Sequence, residues 1–390
     1  MPQEPCLSAY DKDAPIAMLV GRMQGRTRGG AIASGHTVRD LCNESPAGSA
    51  TLQTLAAESM WHGEYEALGH LLGGESGSLQ DFCIEPPGAV TSLDLVRTLE
   101  RTLRAMPDRC GIERLRIARL TVTAALGVPL FEMLARMPLL QRLSFENTVF
   151  EEGAWSRPSL LRLETLNVVG TTNPAPLLDV LADKTPNLRT LHFAPHDGVA
   201  DANANKRLNE AFRQWERLED LTLENPDLCA VDYLRSRSLK RLCLENKRLH
   251  PEELKYLIAV LRGNPQLSSL ELRHCATAGA GADDMLLGYL VRTPTLGALT
   301  FADSTFDPQL AALTARHPGL KFLNLEGNRM CPGSVTALCA GLRSNTQLVS
   351  LRLPPLSEEQ TKLLAATVER HASIRLLSIR GVRVNIRSEA

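Results

Sequence analysis

The sequence predicts an α/β solenoid, a curved horseshoe with parallel strands on its concave face, helices on its convex face and about 12 repeats. Three observations predict it. First, the pattern L-x-x-L-x-L, apolar at offsets 0, +3 and +5, recurs twelve times, beginning at Leu79, Ile112, Leu140, Leu163, Leu188, Leu218, Leu239, Leu267, Leu296, Leu320, Leu348 and Ile374. Leu79 to Ile374 is 295 residues over eleven intervals, a mean period of about 27, within the range of stacked repeats. Second, the segments between copies carry helical spacing. Third, aromatics are only 4% of the 390 residues against 44% hydrophobic, so the core must be built from Leu, Val, Ile and Ala.

Each element follows from side-chain geometry. Offsets +3 and +5 fall on one side of a short strand, because side chains alternate with period two. A single coil cannot bury that apolar edge alone, and stacking closes a continuous core. The return segments read as helices. Pro251–Arg262 places Leu254, Leu257, Ile258 and Leu261 on one stripe, with Glu in its first turn and Arg in its last. Ser334–Arg343 repeats the spacing, with Ser334 expected to cap it. Ala175–Ala182, Asp283–Val291 and Glu358–Arg370 follow suit. Short polar turns, Gly263-Asn264-Pro265-Gln266 and Ser344-Asn345-Thr346-Gln347, then lead to the next strand.

The segment Ala337-Leu338-Cys339-Ala-Gly-Leu342-Arg-Ser-Asn345-Thr-Gln-Leu348-Val-Ser-Leu351-Arg-Leu353 resembles the helix–turn–strand unit of the ribonuclease-inhibitor-like class of leucine-rich-repeat proteins. The resemblance covers residues 79–385 and bears on fold, not function. Leu320-Lys-Phe-Leu323-Asn-Leu325-Glu-Gly-Asn328-Arg-Met330 is the clearest copy, with Asn328 at offset +8. That class carries Asn there, bonded to neighbouring backbone. Here the position also holds Thr148, Thr171, His196, Lys247, Cys275 and Ser304, so the asparagine ladder is incomplete and irregular coils are expected.

Ahead of the repeats, Gly21-Arg-Met-Gln-Gly25-Arg-Thr-Arg-Gly-Gly30 has no apolar periodicity to offset its ordering entropy, and residues 1–50 read as a flexible leader. Leu52, Leu55, Ala56 and Met60, then Tyr65, Leu68, Leu71 and Leu72, predict two short helices over 51–78, a cap on the first coil of a repeat domain spanning 79–390. Val38–Cys42 with Leu52 and Trp61 also resembles the tail of an F-box hairpin, without its Leu-Pro start.

Composition excludes several classes. Lys+Arg 43 against Asp+Glu 44 leaves a formal charge of −1, which argues against a nucleic-acid binder. No apolar run is long enough to span a membrane, and the start lacks a secretory signal. Nine cysteines without a CxxC pair read as reduced thiols in a cytosol-like compartment.

Catalytic signatures are missing: no G-x-x-x-x-G-K-[ST], HExxH or G-x-S-x-G occurs. Gly279-Ala-Gly281-Ala-Asp283-Asp284 lacks the third glycine of a phosphate loop and puts carboxylates where an anion would sit, so it reads as a capped turn. His192 and His196 diverge in direction and lack further ligands, which disfavours a metal site. Cys275 fits a small buried ladder position better than a nucleophile. No catalytic residue, cofactor or metal is expected.

The most informative pattern is on the predicted concave face, at offsets +2, +4 and +6. Early coils present Arg114, Arg116 and Arg142; middle coils Asp220, Glu224, Glu245, Glu271 and Glu326, interrupted by Arg241 and Arg273; late coils Arg352 and Arg380. Neighbouring charges are expected to pair across strands, Glu245 with Arg273 or Arg241 with Glu271. Phe322, an aromatic amid these charges, is the candidate apolar anchor.

These readings predict a non-enzymatic scaffold that binds a protein partner with a basic surface through Asp220, Glu224, Arg241, Glu245, Glu271, Arg273, Phe322 and Glu326. With 8 Lys against 35 Arg, suggestive of GC-rich coding, and a flexible leader, the chain resembles leucine-rich-repeat effectors that bacterial pathogens deliver into host cells. Two alternatives stay open: an adaptor for ubiquitin ligation, docking through residues 36–75, and an activator of a small GTPase.

Overall fold

The computed structural model describes residues 54–56, 81–84, Glu100 and 110–385, except 154, 156, 197–201, 227–237, 278–281, 291, 292, 294, 304–314, 329, 331, 372, 380 and 381. Every copy of the repeat pattern yields a strand that begins two residues after its first apolar position. The chain divides into two compact units, residues 1–188 with 195–197, and residues 189–194 with 198–390.

In the first unit β1 (Thr54–Ala56), β2 (Asp81–Ile84), β3 (Arg114–Ala118), β4 (Arg142–Glu146) and β5 (Thr165–Thr171) pair in parallel, each with the next. In the second, β6 (Thr190–Pro195), β7 (Asp220–Glu224), β8 (Arg241–Glu245), β9 (Ser269–Arg273), β10 (Ala298–Ala302), β11 (Phe322–Asn324), β12 (Ser350–Leu353) and β13 (Leu376–Ile379) do the same. A last strand, β14 (Val382–Asn385), pairs antiparallel with β13 and covers that sheet edge.

Pairing places equal offsets opposite one another: Asp220, Arg241, Ser269, Ala298, Phe322 and Ser350 form one row across six strands. The apolar offsets are therefore stacked too. Leu163, Leu166 and Val168, or Leu239, Leu242 and Leu244, are at most 1% exposed, so period-two alternation directs a core to one side of each sheet.

Among the described residues the return helices include α1 (Ala124–Ala135), α2 (Ala175–Leu181), α3 (Ala202–Phe212), α4 (Pro251–Gly263), α5 (Ala282–Leu290), α6 (Pro332–Leu342) and α7 (Glu358–Val368). Their starts are chemically marked. Thr123 accepts from Leu126 N at 3.2 Å, and Ser357 exchanges bonds with Gln360 in a capping box. Ser334, expected as a cap, instead lies inside α6 and is fully buried, because that helix begins earlier, at Pro332.

At eight of the strands the chain turns through a left-handed residue at offset +7. Arg119, Asn147, Gly170, Asn225, Asn246, His274, Asp303 and Gly327 all have φ between 43° and 79° there. Asn, Asp and Gly tolerate that conformation best, and they fill six of these eight corners. Glycine is required at Gly327, where an added Cβ would strike the Asp303 carboxylate.

The helical cap expected over 51–78 is corrected at the only described part of it: Thr54–Ala56 is a strand whose Leu55 lies opposite Phe82. Leu52 and Leu55 are three apart, a spacing shared by a helix stripe and by offsets 0 and +3 of a repeat. The remainder of that segment and the leader lie outside the described residues.

A polar ladder does exist, displaced from the expected place. At offset −3, in the turn before the strand, stand Thr185, Asn264, His317, Asn345 and His371, each at most 6% exposed. Asn345 Nδ2 donates to Ala315 O and His317 O in the preceding coil, at 2.8 and 3.2 Å, while its Oδ1 accepts from Gln347 N and Leu348 N at 2.7 Å. His317 Nδ1 accepts from Gly319 N and Nε2 lies 3.0 Å from Thr293 O. Burial holds the His317 imidazole below its ordinary value of 6.5, so it folds neutral. Its contribution is therefore complete above pH 6.5 and declines as the pH falls through the lowered folded value. Chemical denaturation from neutral to mildly acidic pH should show the wild type losing more stability than His317→Asn; parallel profiles would contradict this.

Candidate functional site

The site is the helix-free face of β7–β11, where the residues at offsets +2, +4 and +6, apart from buried Cys243, reach solvent. The burial alternation follows directly: in β7, Asp220, Thr222 and Glu224 are half-buried between fully buried Leu221 and Leu223.

Two ion clusters organise this face. Arg241 Nε lies 3.1 Å from Asp220 Oδ1, its opposite number on the adjacent strand. This corrects the expected Arg241–Glu271 pairing: Glu271 is instead held by Arg273 on its own strand, at 2.6 Å. The expected Glu245–Arg273 pair forms, at 3.3 Å. Arg273 thus sits between two carboxylates whose side chains are only 22% and 17% exposed, and one negative charge remains in excess. Cys243, 3% exposed beside them, points its thiol at Glu245, and burial first, then that carboxylate, push its pKa up.

Glu224 accepts from the Asn246 side chain at the left-handed corner. Glu326, two residues past β11, accepts from Ser378 Oγ of β13 at 3.2 Å. Across β7–β11 the five carboxylates and two guanidiniums at the outward offsets leave three negative charges. The rim at offset +1 is mixed: Glu219 bonds Lys240 at 2.8 Å and lies 3.6 Å from Arg189, and the Lys240 bond holds its carboxyl below the ordinary range. Lys321 is exposed at the same rim.

Phe322 is 52% exposed on β11. Its register neighbours are Ala298 and Ser350, too small to cover the ring. In the first unit Arg114 and Arg142 stand opposite each other and exposed, but Arg116 bonds Glu146 at 2.7 Å, and that bond lowers the Glu146 pKa. Glu146 occupies offset +6 of the Leu140 copy, so the same count that yields Arg142 also finds it; the early coils are less basic than their arginines imply. Arg352 is half-buried on β12, and Arg380 lies outside the described residues.

The ladder position at offset +8 is as uneven as the sequence indicates. Asn328 donates to Phe301 O of the preceding coil, and Cys275 bonds Leu244 O likewise, whereas Thr148 and Thr171 reach only their own coils. Lys247 turns away to Glu253 in α4, at 2.6 Å. His196 is exposed rather than buried, while His192 is half-buried at offset +4 of β6. Among the described residues no group of three or more His, Cys, Asp or Glu is arranged to hold a metal, and no helix is long and apolar enough to cross a membrane. The Cys275 thiol, 4% exposed, is pushed by burial up to about 11, a poor state for a nucleophile. The Gly279–Gly281 turn lies outside the described residues.

Strand, left-handed corner and return helix, repeated with equal offsets in register, define the fold as a leucine-rich-repeat α/β solenoid. No protein-family model matches the chain, and no curated protein does. Similar solved structures include a Bacteroides fragilis protein determined by a structural genomics consortium (15% identity over 70% of this chain and 79% of that one, TM-score 0.41). Two others are TLR13 in complex with ssRNA13 (14% identity, 84% and 53%, TM-score 0.49) and the mouse RP105/MD-1 complex (14% identity, 85% and 60%, TM-score 0.47). The chain spans 53% and 60% of the length of the latter two.

Proposed function

We propose that the chain is a non-enzymatic recognition scaffold whose β7–β11 face binds a protein partner with a basic surface. One observation carries this reading: the outward offsets of this face hold five carboxylates against two guanidiniums, three negative charges in excess, and an uncovered aromatic ring, Phe322, stands on the same face. Such an array draws a basic partner in by its field, and the ring supplies desolvated contact once it docks.

Buried, unlinked Cys110, Cys243, Cys275 and Cys339 support a reducing working compartment. Together with the Arg-rich coding and the Gly/Arg-rich leader, they favour a bacterial effector acting inside a host cell.

The test is a triple reversal, Glu224, Glu245 and Glu326 to Lys, with binding to a panel of purified basic proteins measured by biolayer interferometry. The wild type should bind, weakening as salt rises from about 50 to about 300 mM, and the triple variant should lose about 100-fold or more in affinity. Equal binding by both proteins at every salt concentration would overturn the reading.

A further inference from the structure

Register shows a trough within this face. The outward positions of β10 are Ala298, Thr300 and Ala302, the smallest set on any strand from β7 to β11. On one side β9 presents Ser269, level with Phe322, and then Glu271 and Arg273 further along the strand; on the other stands Phe322 of β11. Adjacent strands are about 4.8 Å apart, so the two walls are separated by about 10 Å, room for one flat side chain above the small floor. One wall is an exposed ring and the other carries the excess negative charge that Arg273 leaves between Glu245 and Glu271. Glu271 gives one oxygen to Arg273, and no other bond to it is present among the described residues.

We propose that the β9–β11 trough is a docking site for an arginine side chain on an extended basic segment of a protein partner. This rests on the recognition-scaffold reading and narrows it to one chemistry. The guanidinium stacks on the Phe322 ring and donates to the open oxygen of Glu271, while its aliphatic stem lies over Ala298 and Thr300. Arginine is selected over lysine because a flat, weakly hydrated cation both stacks and donates in plane, whereas an ammonium is compact and strongly hydrated. Charge complementarity identifies the occupant: an apolar peptide would satisfy the ring but leave the carboxylate desolvated, and an acidic one is repelled.

The test uses the full chain and three short labelled peptides, identical except for a central arginine, lysine or citrulline, with binding read by fluorescence anisotropy at low salt. Arginine should bind best, lysine about fivefold more weakly and citrulline about 30-fold more weakly. Phe322→Ala, at an exposed position that leaves the core intact, should reduce arginine-peptide binding about fivefold. It should also compress the arginine–lysine difference; Glu271→Gln should do the same, with its fold checked by circular dichroism. Equal binding of the arginine and lysine peptides, or an unaffected Phe322→Ala, would overturn the trough. If basic proteins still bind in a reversal-sensitive way, the scaffold reading survives that result. Absence of binding by every basic protein and peptide would overturn both.

Discussion

Trp155→Ala is expected to lower the unfolding free energy of the first unit by about 3–5 kcal/mol. The coil from Asn147 to Glu164 has no return helix among its described residues. Trp155 fills that space: it is 7% exposed, stacks on Phe131 of α1 at 5.2 Å between centroids, and tilts against Phe150 at 5.9 Å. Gly127 and Gly153 make room for it, since a Cβ at either position would enter the indole. Truncation therefore leaves a cavity lined by rigid neighbours. The same geometry predicts strong coupling. Gly127→Ala alone should destabilise by overpacking, about 1–3 kcal/mol, and that cost should largely vanish in the Trp155→Ala background. Urea titrations of the four proteins check it; additive losses would show that the indole does not plug this coil.

Asn345→Ala should cost about 2–4 kcal/mol, the larger part coming from carbonyls left without a donor. Its amide ties the turn before β12 to two carbonyls of the preceding coil, and its oxygen receives two backbone N–H groups of its own turn. Loss is partial on the oxygen side. In other coils the first-position N–H bonds the carbonyl at offset −3 instead, as Leu267 N does with Asn264 O, so the backbone has a fallback. The donor side has none. Hydrogen exchange should therefore speed most in β11 and β12; a uniform change across the second unit would contradict the placement of this loss.

Much of the fold was legible because the signal was repeated. Leu, Ile, Val and Phe at offsets 0, +3 and +5 can be buried together only by a strand in a stack, and twelve copies exclude coincidence. Less legible were features whose residue types vary. The corner at offset +7 uses Arg119 and His274 as well as Asn and Gly, so composition alone blurs it. The inner ladder at offset −3 uses Thr, Asn and His, which share burial and hydrogen bonding but no common letter. Leu52 and Leu55 misled because three-residue spacing serves helix and repeat strand alike.

The site divides the same way. Which residues face outward was decided by the sequence, through period-two alternation, and Phe322, Glu245 and Arg273 stand where that count puts them. Which charges cancel was decided only by the folded chain. Arg241 stands directly opposite Asp220 but only diagonally from Glu271, whose register partner is Cys243, so strand register gives it to Asp220 and leaves Glu271 to Arg273. The sequence alone thus determined the repeat, the direction of each side chain and the position of the face. Tertiary structure alone determined the net field of that face and the trough beside Phe322, because both depend on distances between residues of separate coils that no single repeat encodes.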